Sequence, residues 1–241
     1  MKLILNGCEV EANEGQTLLE LARANRVYIP TLCHAEAVDD YGACRMCLVE
    51  VSRRGRSKLV TACLYPVEEG IEVKTDTDKV NRIRRTIIEL LLARCPSSNP
   101  IREVAASLGV ILSRFSRESD DAENLCTLCG LCTRVCSEVV GVSAISLVNR
   151  GTAREVALPF YDNAAACIAC GSCAFVCPTG AIKLEDLHDK RVITWPNSRM
   201  EFYLKECRKC GVHFAPAKQL AYMSDKTGIP LSEFELCPDC R

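Results

Sequence analysis

The cysteine run Cys126-x2-Cys129-x2-Cys132-x3-Cys136 recurs 41 residues later as Cys167-x2-Cys170-x2-Cys173-x3-Cys177-Pro178. No other feature restricts the fold of this chain so tightly. Three thiolates at this spacing wrap backbone around one corner of a metal–sulfur cube, and the fourth is thrown across to the neighbouring cube. On that rule one [4Fe-4S] cluster takes Cys126, Cys129, Cys132 and Cys177, and the other takes Cys167, Cys170, Cys173 and Cys136. Gly130 and Gly171 follow the second cysteine of each run, where the chain must bend tightly and bring amide hydrogens toward sulfide. An ordinary turn glycine would read the same way. Ser137 stands where the first run would carry the proline that Pro178 supplies in the second, which changes how the chain leaves that cluster without removing a ligand. Eight cysteines in paired runs exceed what tetrahedral zinc sites require.

Eighteen cysteines in 241 residues would suit a disulfide scaffold, but two observations oppose that reading. Met1 to Asn6 is too short an apolar stretch for a signal peptide, and C-x2-C intervals suit ligation of one centre better than long-range cross-links. The expected compartment is a reducing cytoplasm. Only 5% of residues are aromatic, so modules organised around metals are expected rather than large aromatic cores. No segment has the roughly twenty apolar residues needed to span a bilayer, and a net charge of −1 gives no general attraction to nucleic acid. Residues 77–117 are locally basic, which reads as a solvated helical face.

Near the N-terminus, Leu3 to Leu5 and Val10 flank Asn6-Gly7, a hairpin signal. Thr17 to Asn25 predicts a short helix burying Leu18, Leu21 and Ala22. The next loop carries Cys33, Cys44 and Cys47, followed by strand-like runs at Leu48–Val51, Leu59–Cys63 and Ile71–Val73. Cys33-x10-Cys44-x2-Cys47-x15-Cys63 thus places three thiolates on one loop and a fourth on a later strand, as expected for a [2Fe-2S] cluster inside a small mixed sheet. Ten residues separate the first pair, where the plant-type pattern has four. Gly42 would permit close backbone approach or simply loosen the loop, and Arg45 and Met46 are placed to shield the cluster.

Asp78–Arg94 has helical spacing at Val80, Ile83, Ile87, Leu90 and Leu91, with Thr75 and Asp78 as an expected capping box and Cys95-Pro96 as its end. A second helix is expected from about Pro100, using Val104, Leu108, Ile111 and Leu112. Glu118 to Glu123 reads as a polar link. Arg191 to Lys205 says little beyond Trp195, the only tryptophan, whose expected role is packing.

Cys207-x2-Cys210-Gly211 and Cys237-Pro238-Asp239-Cys240 are two knuckles separated by 26 residues. Two C-x2-C pairs supply a tetrahedral four-sulfur site, for which zinc is the first choice and a rubredoxin-like iron the rival. Arg241 stands where a rubredoxin knuckle usually has glycine, which favours zinc. His213 is expected at the surface or beside this site, and His34 and His188 show no sequence partner for acid–base work.

The stretches YGACRMCLVEV, CTLCGLCTRVCSEVVGVSAI and CIACGSCAFVCPTGAI resemble, in order and spacing, the electron-transfer (diaphorase) subunit of NAD-reducing and electron-bifurcating hydrogenases or transhydrogenases. Residues 1 to about 187 are similar also to the N-terminal part of the large iron–sulfur subunit of bacterial NADH dehydrogenase. The resemblance implies a β-grasp ferredoxin domain, a linker and a two-cluster ferredoxin domain. The expected organisation is α+β: a β-grasp [2Fe-2S] domain over 1–76, a helical connector over 77–118, a two-cluster [4Fe-4S] domain over 119–190, and a zinc-ribbon-like four-cysteine module over 191–241. The family often carries a further cubane on one His and three Cys after the long helix. Here Leu92-Ala93-Arg94-Cys95-Pro96 offers a lone cysteine and Ser97 to Ser116 neither His nor Cys, so that cluster is expected to be absent, with Cys95 and Cys8 as small apolar residues.

No glycine-rich nucleotide turn follows a strand, and the resemblance assigns nucleotide oxidation to a separate subunit. The expected function is a non-catalytic relay of single electrons, with no catalytic residues of its own. Its expected partners are a flavin- and NAD(P)-binding subunit and a further redox subunit (hydrogenase, formate dehydrogenase or bifurcating transhydrogenase), with ferredoxin as another candidate. Direct membrane insertion is not expected. The alternative is a freestanding polyferredoxin.

Overall fold

The computed structural model describes residues 1–116, 124–162 and 164–241, so the acidic link expected at 118–123 and the expected boundary at 118/119 lie outside the described residues. Contacts divide the chain into two units, 1–129 and 130–241.

In the first unit β1 (Lys2–Leu5) and β2 (Cys8–Glu11) pair antiparallel through Asn6 and Gly7, both at positive φ. That conformation matches the right-handed twist of a tight hairpin. α1 (Leu18–Ala24) starts in a capping box, with the Thr17 side chain accepting from the Glu20 amide and the Glu20 side chain accepting from the Thr17 amide. β3 (Leu48–Arg53), β4 (Arg56–Thr61) and β5 (Glu72–Lys74) complete a sheet of order β2-β1-β5-β3-β4, in which β1 and β5 run parallel. Alternate residues Leu3, Leu5, Val49, Val51 and Val73 face one core with Leu18, Leu19, Leu21 and Ala22 of α1. Each such fully buried aliphatic side chain contributes about 1.5–3 kcal/mol. The sheet is wrapped round one helix, the β-grasp arrangement. β4 ends at Thr61, so Cys63 sits in the turn beyond the strand rather than on it.

α2 (Asp78–Arg94) has the bounds that its spacing predicts, but not the cap or the buried face. Thr77 caps it, accepting from the Val80 amide at 3.3 Å. Thr75 is occupied elsewhere, exchanging hydrogen bonds with the Asn6 amide side chain at 2.8 Å. The most buried row is Val80, Arg84, Ile88 and Leu92, and Leu90 is exposed. α3 (Asn99–Ser107) buries Ile101 and Ala105 and stops at Gly109, whose positive φ ends the helix while Val110 donates back to Ala105 O at 2.9 Å. Ile111 and Leu112 therefore lie beyond the helix, 90% and 81% exposed, contrary to their expected place on its packed face.

In the second unit two short helices, α4 (Leu131–Arg134) and α5 (Ser172–Phe175), begin at Gly130 and Gly171, each in the left-handed region. α4 runs on into a π turn over Val135–Val139 that carries Cys136. β6 (Ser146–Val148) and β7 (Glu155–Ala157) form a small hairpin. β8 (Lys183–Leu187), β9 (Lys190–Trp195), β10 (Ser198–Glu206) and β11 (His213–Pro216) form an antiparallel sheet in chain order, with α6 (Ala217–Thr227) against β10 and β11. The expected boundary at 190/191 falls within β9. The stretch 191–205, uninformative in sequence, is most of this sheet, and Trp195 is buried at the end of β9.

Candidate metal centres

Four thiols of the first unit gather as two close pairs. Cys33 Sγ donates to Cys44 Sγ at 3.4 Å and Cys47 Sγ to Cys63 Sγ at 3.5 Å. Sulfurs sharing one tetrahedral ion at ~2.3 Å bonds sit about 3.7 Å apart, so each pair has the separation of one metal's ligands. Within each pair the two thiols are pushed in opposite directions. Cys44, receiving the Cys33 hydrogen bond and amides of Met46, Leu32 and Cys33, is lowered to about 6, while Cys33 is pushed up by the same partner and by burial. Cys47 is lowered by Cys63, and Cys63 raised by Cys47. Gly42, at positive φ, lies so close to Leu64 that a Cβ there would meet Leu64 Cδ1 at 2.6 Å. Met46 is fully buried against Ile88 and Leu92 of α2, whereas Arg45 is exposed.

His34, beside Cys33, has partners that no local pattern shows. Its Nδ1 lies 2.8 Å from Asp40 Oδ1 and its Nε2 lies 2.5 Å from an Arg23 nitrogen of α1. Since a guanidinium only donates, Nε2 accepts and the ring proton sits on Nδ1, facing the carboxylate. This chain ties the long Cys33–Cys44 loop to α1.

In the second unit Cys136, Cys167, Cys170 and Cys173 line one largely apolar cavity with Ile193 and Trp195. A cysteine of the first run thus joins three of the second. Cys173 is pushed up to about 12 and Cys167 upward, both chiefly by burial. The Ala144 amide donates to Cys136 Sγ at 3.2 Å and the Ala169 amide to Cys167 Sγ at 3.4 Å. The two runs share backbone geometry: Leu128 and Ala169 stand at positive φ two residues after the first cysteine, and Gly130 and Gly171 two residues later again. Such alternation turns successive amides toward one point. Of the other predicted set, Cys126 and Cys129 belong to the first unit and Cys132 and Cys177 to the second.

An arginine grips a backbone carbonyl of every cysteine loop so far described. Arg84 donates to Met46 O and Leu48 O, Arg94 to Cys126 O at 3.0 Å, and Arg191 to Ala169 O at 3.1 Å.

The sulfurs of Cys207, Cys210, Cys237 and Cys240 lie within 4.8 Å of one another, two buried and two nearer the surface. The Cys237 amide donates to Cys207 Sγ at 3.3 Å and is the main reason that Cys207 is lowered to about 6. Gly211 makes the tight turn of the first knuckle at positive φ. His213 stacks edge-on against His188 at 5.7 Å.

Residues 1–78 match the 2Fe-2S iron-sulfur cluster binding domain family and residues 160–183 the 4Fe-4S binding domain family. The chain is 33% identical over 203 residues to the NADPH-Fe(3+) oxidoreductase subunit alpha of Geobacter sulfurreducens, covering 76% of this chain and 24% of that protein. It is 33% identical over 210 residues to the NADP-reducing hydrogenase subunit HndD of Solidesulfovibrio fructosivorans, covering 76% and 36%. Among solved structures, a chain of an NAD+-reducing [NiFe]-hydrogenase in the H2-reduced state superposes with a TM-score of 0.57 at 30% identity, over 65% of this chain and 74% of that one. This chain belongs to the family of iron–sulfur electron-transfer subunits of NAD(P)-linked oxidoreductases. It spans about a quarter to a third of the curated relatives it matches.

The donor sets suit what an iron–sulfur subunit has to hold. Thiolates cradled by amide N–H groups are the environment in which a cluster's sulfur charge is hydrogen-bonded. The buried indole nitrogen of Trp195 has no hydrogen-bond partner, and the ring lines the same second-unit cavity as Cys173. Among the described residues no helix is long and apolar enough to cross a membrane.

Proposed function

We propose that this chain relays single electrons between a flavin- and NAD(P)-binding subunit and a further redox module of the hydrogenase, formate dehydrogenase or bifurcating transhydrogenase kind. Cys33, Cys44, Cys47 and Cys63 would hold one [2Fe-2S] cluster. Two [4Fe-4S] clusters would sit on Cys126, Cys129, Cys132 and Cys177, and on Cys167, Cys170, Cys173 and Cys136. A zinc ion on Cys207, Cys210, Cys237 and Cys240 would fasten the C-terminal ribbon-like module. When bound, each cluster accepts and returns one electron, and the protein's part is placement and tuning.

The observation that carries this reading is the presence of Cys136 in the cavity lined by Cys167, Cys170 and Cys173. A cysteine exchanged between two runs is the crossing pattern of a two-cluster ferredoxin, and it leaves Cys177 to complete the other set. The likeness to subunits of an NADPH-Fe(3+) oxidoreductase and an NADP-reducing hydrogenase supports a nucleotide-linked partner.

Anaerobic affinity purification tests both halves of the reading. The expected sample contains about ten irons and one zinc per chain, with a flavin-containing subunit co-purifying. Eleven irons without zinc would assign the C-terminal site to iron, a lone reducible chain would indicate a freestanding carrier, and absence of acid-labile sulfide would overturn the relay.

A further inference from the structure

Arg84 occupies the buried row of α2 between Val80 and Ile88, and only 4% of it meets solvent. A guanidinium stays charged in proteins, and burying it without a counter-charge costs several kcal/mol. Its hydrogen bonds nevertheless go to neutral oxygens: Nε donates to Met46 O at 3.0 Å and a terminal nitrogen to Leu48 O at 2.6 Å. These are the carbonyls on either side of Cys47. Among the described residues no carboxylate pairs with Arg84 directly; the nearest acidic groups that reach it are Asp76, which is exposed and screened by water, and then the Cys47 thiol. The cysteine loop thus offers the buried counter-charge that the carboxylates do not.

We propose that Arg84 is a positioning residue of the [2Fe-2S] site, holding the Cys44–Cys47 turn by the carbonyls flanking Cys47 and placing a buried positive charge that favours the reduced cluster. The inference rests on Cys33, Cys44, Cys47 and Cys63 holding that cluster. Four thiolates and two sulfides outweigh two ferric ions, so the assembly is anionic before reduction, and the incoming electron adds one more negative charge. A fixed cation in a low-dielectric setting stabilises the second state more than the first. Arg94 and Arg191 make comparable carbonyl contacts, but Arg191 also pairs with Asp186, so its charge is already answered.

The test is a potentiometric titration of the full chain monitored by electron paramagnetic resonance, in the wild type, Arg84→Gln and Arg84→Lys. A wild-type chain without a [2Fe-2S] signal would overturn the ligand assignment and the inference with it. With the signal present, Arg84→Gln is expected to lower the reduced-to-oxidised ratio of that cluster about tenfold at the wild-type midpoint, which is 59 mV for a one-electron couple. The [4Fe-4S] signals should not move, and added salt should change the shift little because the charge is buried. Arg84→Lys, which keeps the charge, is expected to stay within about threefold of wild type. A wild-type midpoint in Arg84→Gln, or a lysine variant shifted as far as the glutamine one, overturns the proposal. Should the glutamine variant fail to incorporate the cluster, the lysine variant decides: a shift within threefold sustains the proposal and a tenfold shift overturns it.

Discussion

The indole N–H of Trp195 is buried without a hydrogen-bond partner, and its nearness to Cys173 lowers that thiol against the upward push of burial. Indole is a donor only, and an unmet buried donor costs about 1–3 kcal/mol, so a sulfur bearing negative charge is the partner that removes the penalty. Trp195→Phe is expected to preserve the sheet and to lower the potential of the cluster on Cys136, Cys167, Cys170 and Cys173. A lost hydrogen bond of about 1 kcal/mol corresponds to some tens of millivolts for one electron. A potentiometric titration in which all signals keep their midpoints would refute this role for the indole.

The two thiols of the Cys33–Cys44 pair are unequal, with the proton on Cys33. In protein stripped of metal, Cys44 is mostly thiolate at pH 7, because its value is lowered to about 6 and the charged form prevails above that pH. Iodoacetamide should therefore modify Cys44, which is also the more accessible of the two, well before Cys33. The Cys44 rate should fall about tenfold per pH unit below 6. Peptide mapping that finds equal labelling, or a rate flat between pH 5 and 7, would contradict the assignment.

What could be read from sequence was whatever is local. Spacing within a run is local, and so the C-x2-C pairs whose cysteines the structure brings near Cys33, Cys63 and Cys136, and the two knuckles of the C-terminal tetrad, could be picked out in advance. The extent of α2 was legible too, but its buried face was not, because Arg84 stands in the buried row and hydrophobic periodicity skips a charged residue. The same limitation hid β8 and β10, where KLEDL and SRMEFYLKE carry charges on the exposed face of a sheet covered on one side. The cap moved from the expected Thr75 to Thr77 because Asn6, distant in sequence, engages Thr75. The Arg23–His34–Asp40 chain had no signal at all, since it depends on where α1 packs.

At the C-terminal tetrad the sulfurs of Cys210 and Cys237 are 3.7 Å apart, the span of two ligands on one tetrahedral ion. Cys210→Ser is expected to remove one zinc per chain and leave iron, sulfide and every paramagnetic signal unchanged. Because structural zinc supplies folding free energy, on the order of 10 kcal/mol in small domains, the segment after Cys207 should become sensitive to limited proteolysis. Loss of one iron in place of zinc would reassign the metal, and no change in either would dispose of the site.

Gly171 combines two demands that no other residue type meets. Its φ of +82° lies where an L side chain is strained, and a Cβ would stand 2.4 Å from Leu184 Cδ1. Gly228, at +71° in the same unit and with nothing near its absent Cβ, isolates the first demand. Alanine at Gly228 is expected to cost about 1–2 kcal/mol, the usual penalty of the left-handed region. Gly171→Ala should cost more, and pairing it with Leu184→Ala should recover only the excess due to overlap, not the backbone part. Thermal loss of the cluster absorbance would report the order. If Gly171→Ala is no worse than Gly228→Ala, Leu184 swings aside freely and the close approach at the second cysteine loop places no constraint on that residue.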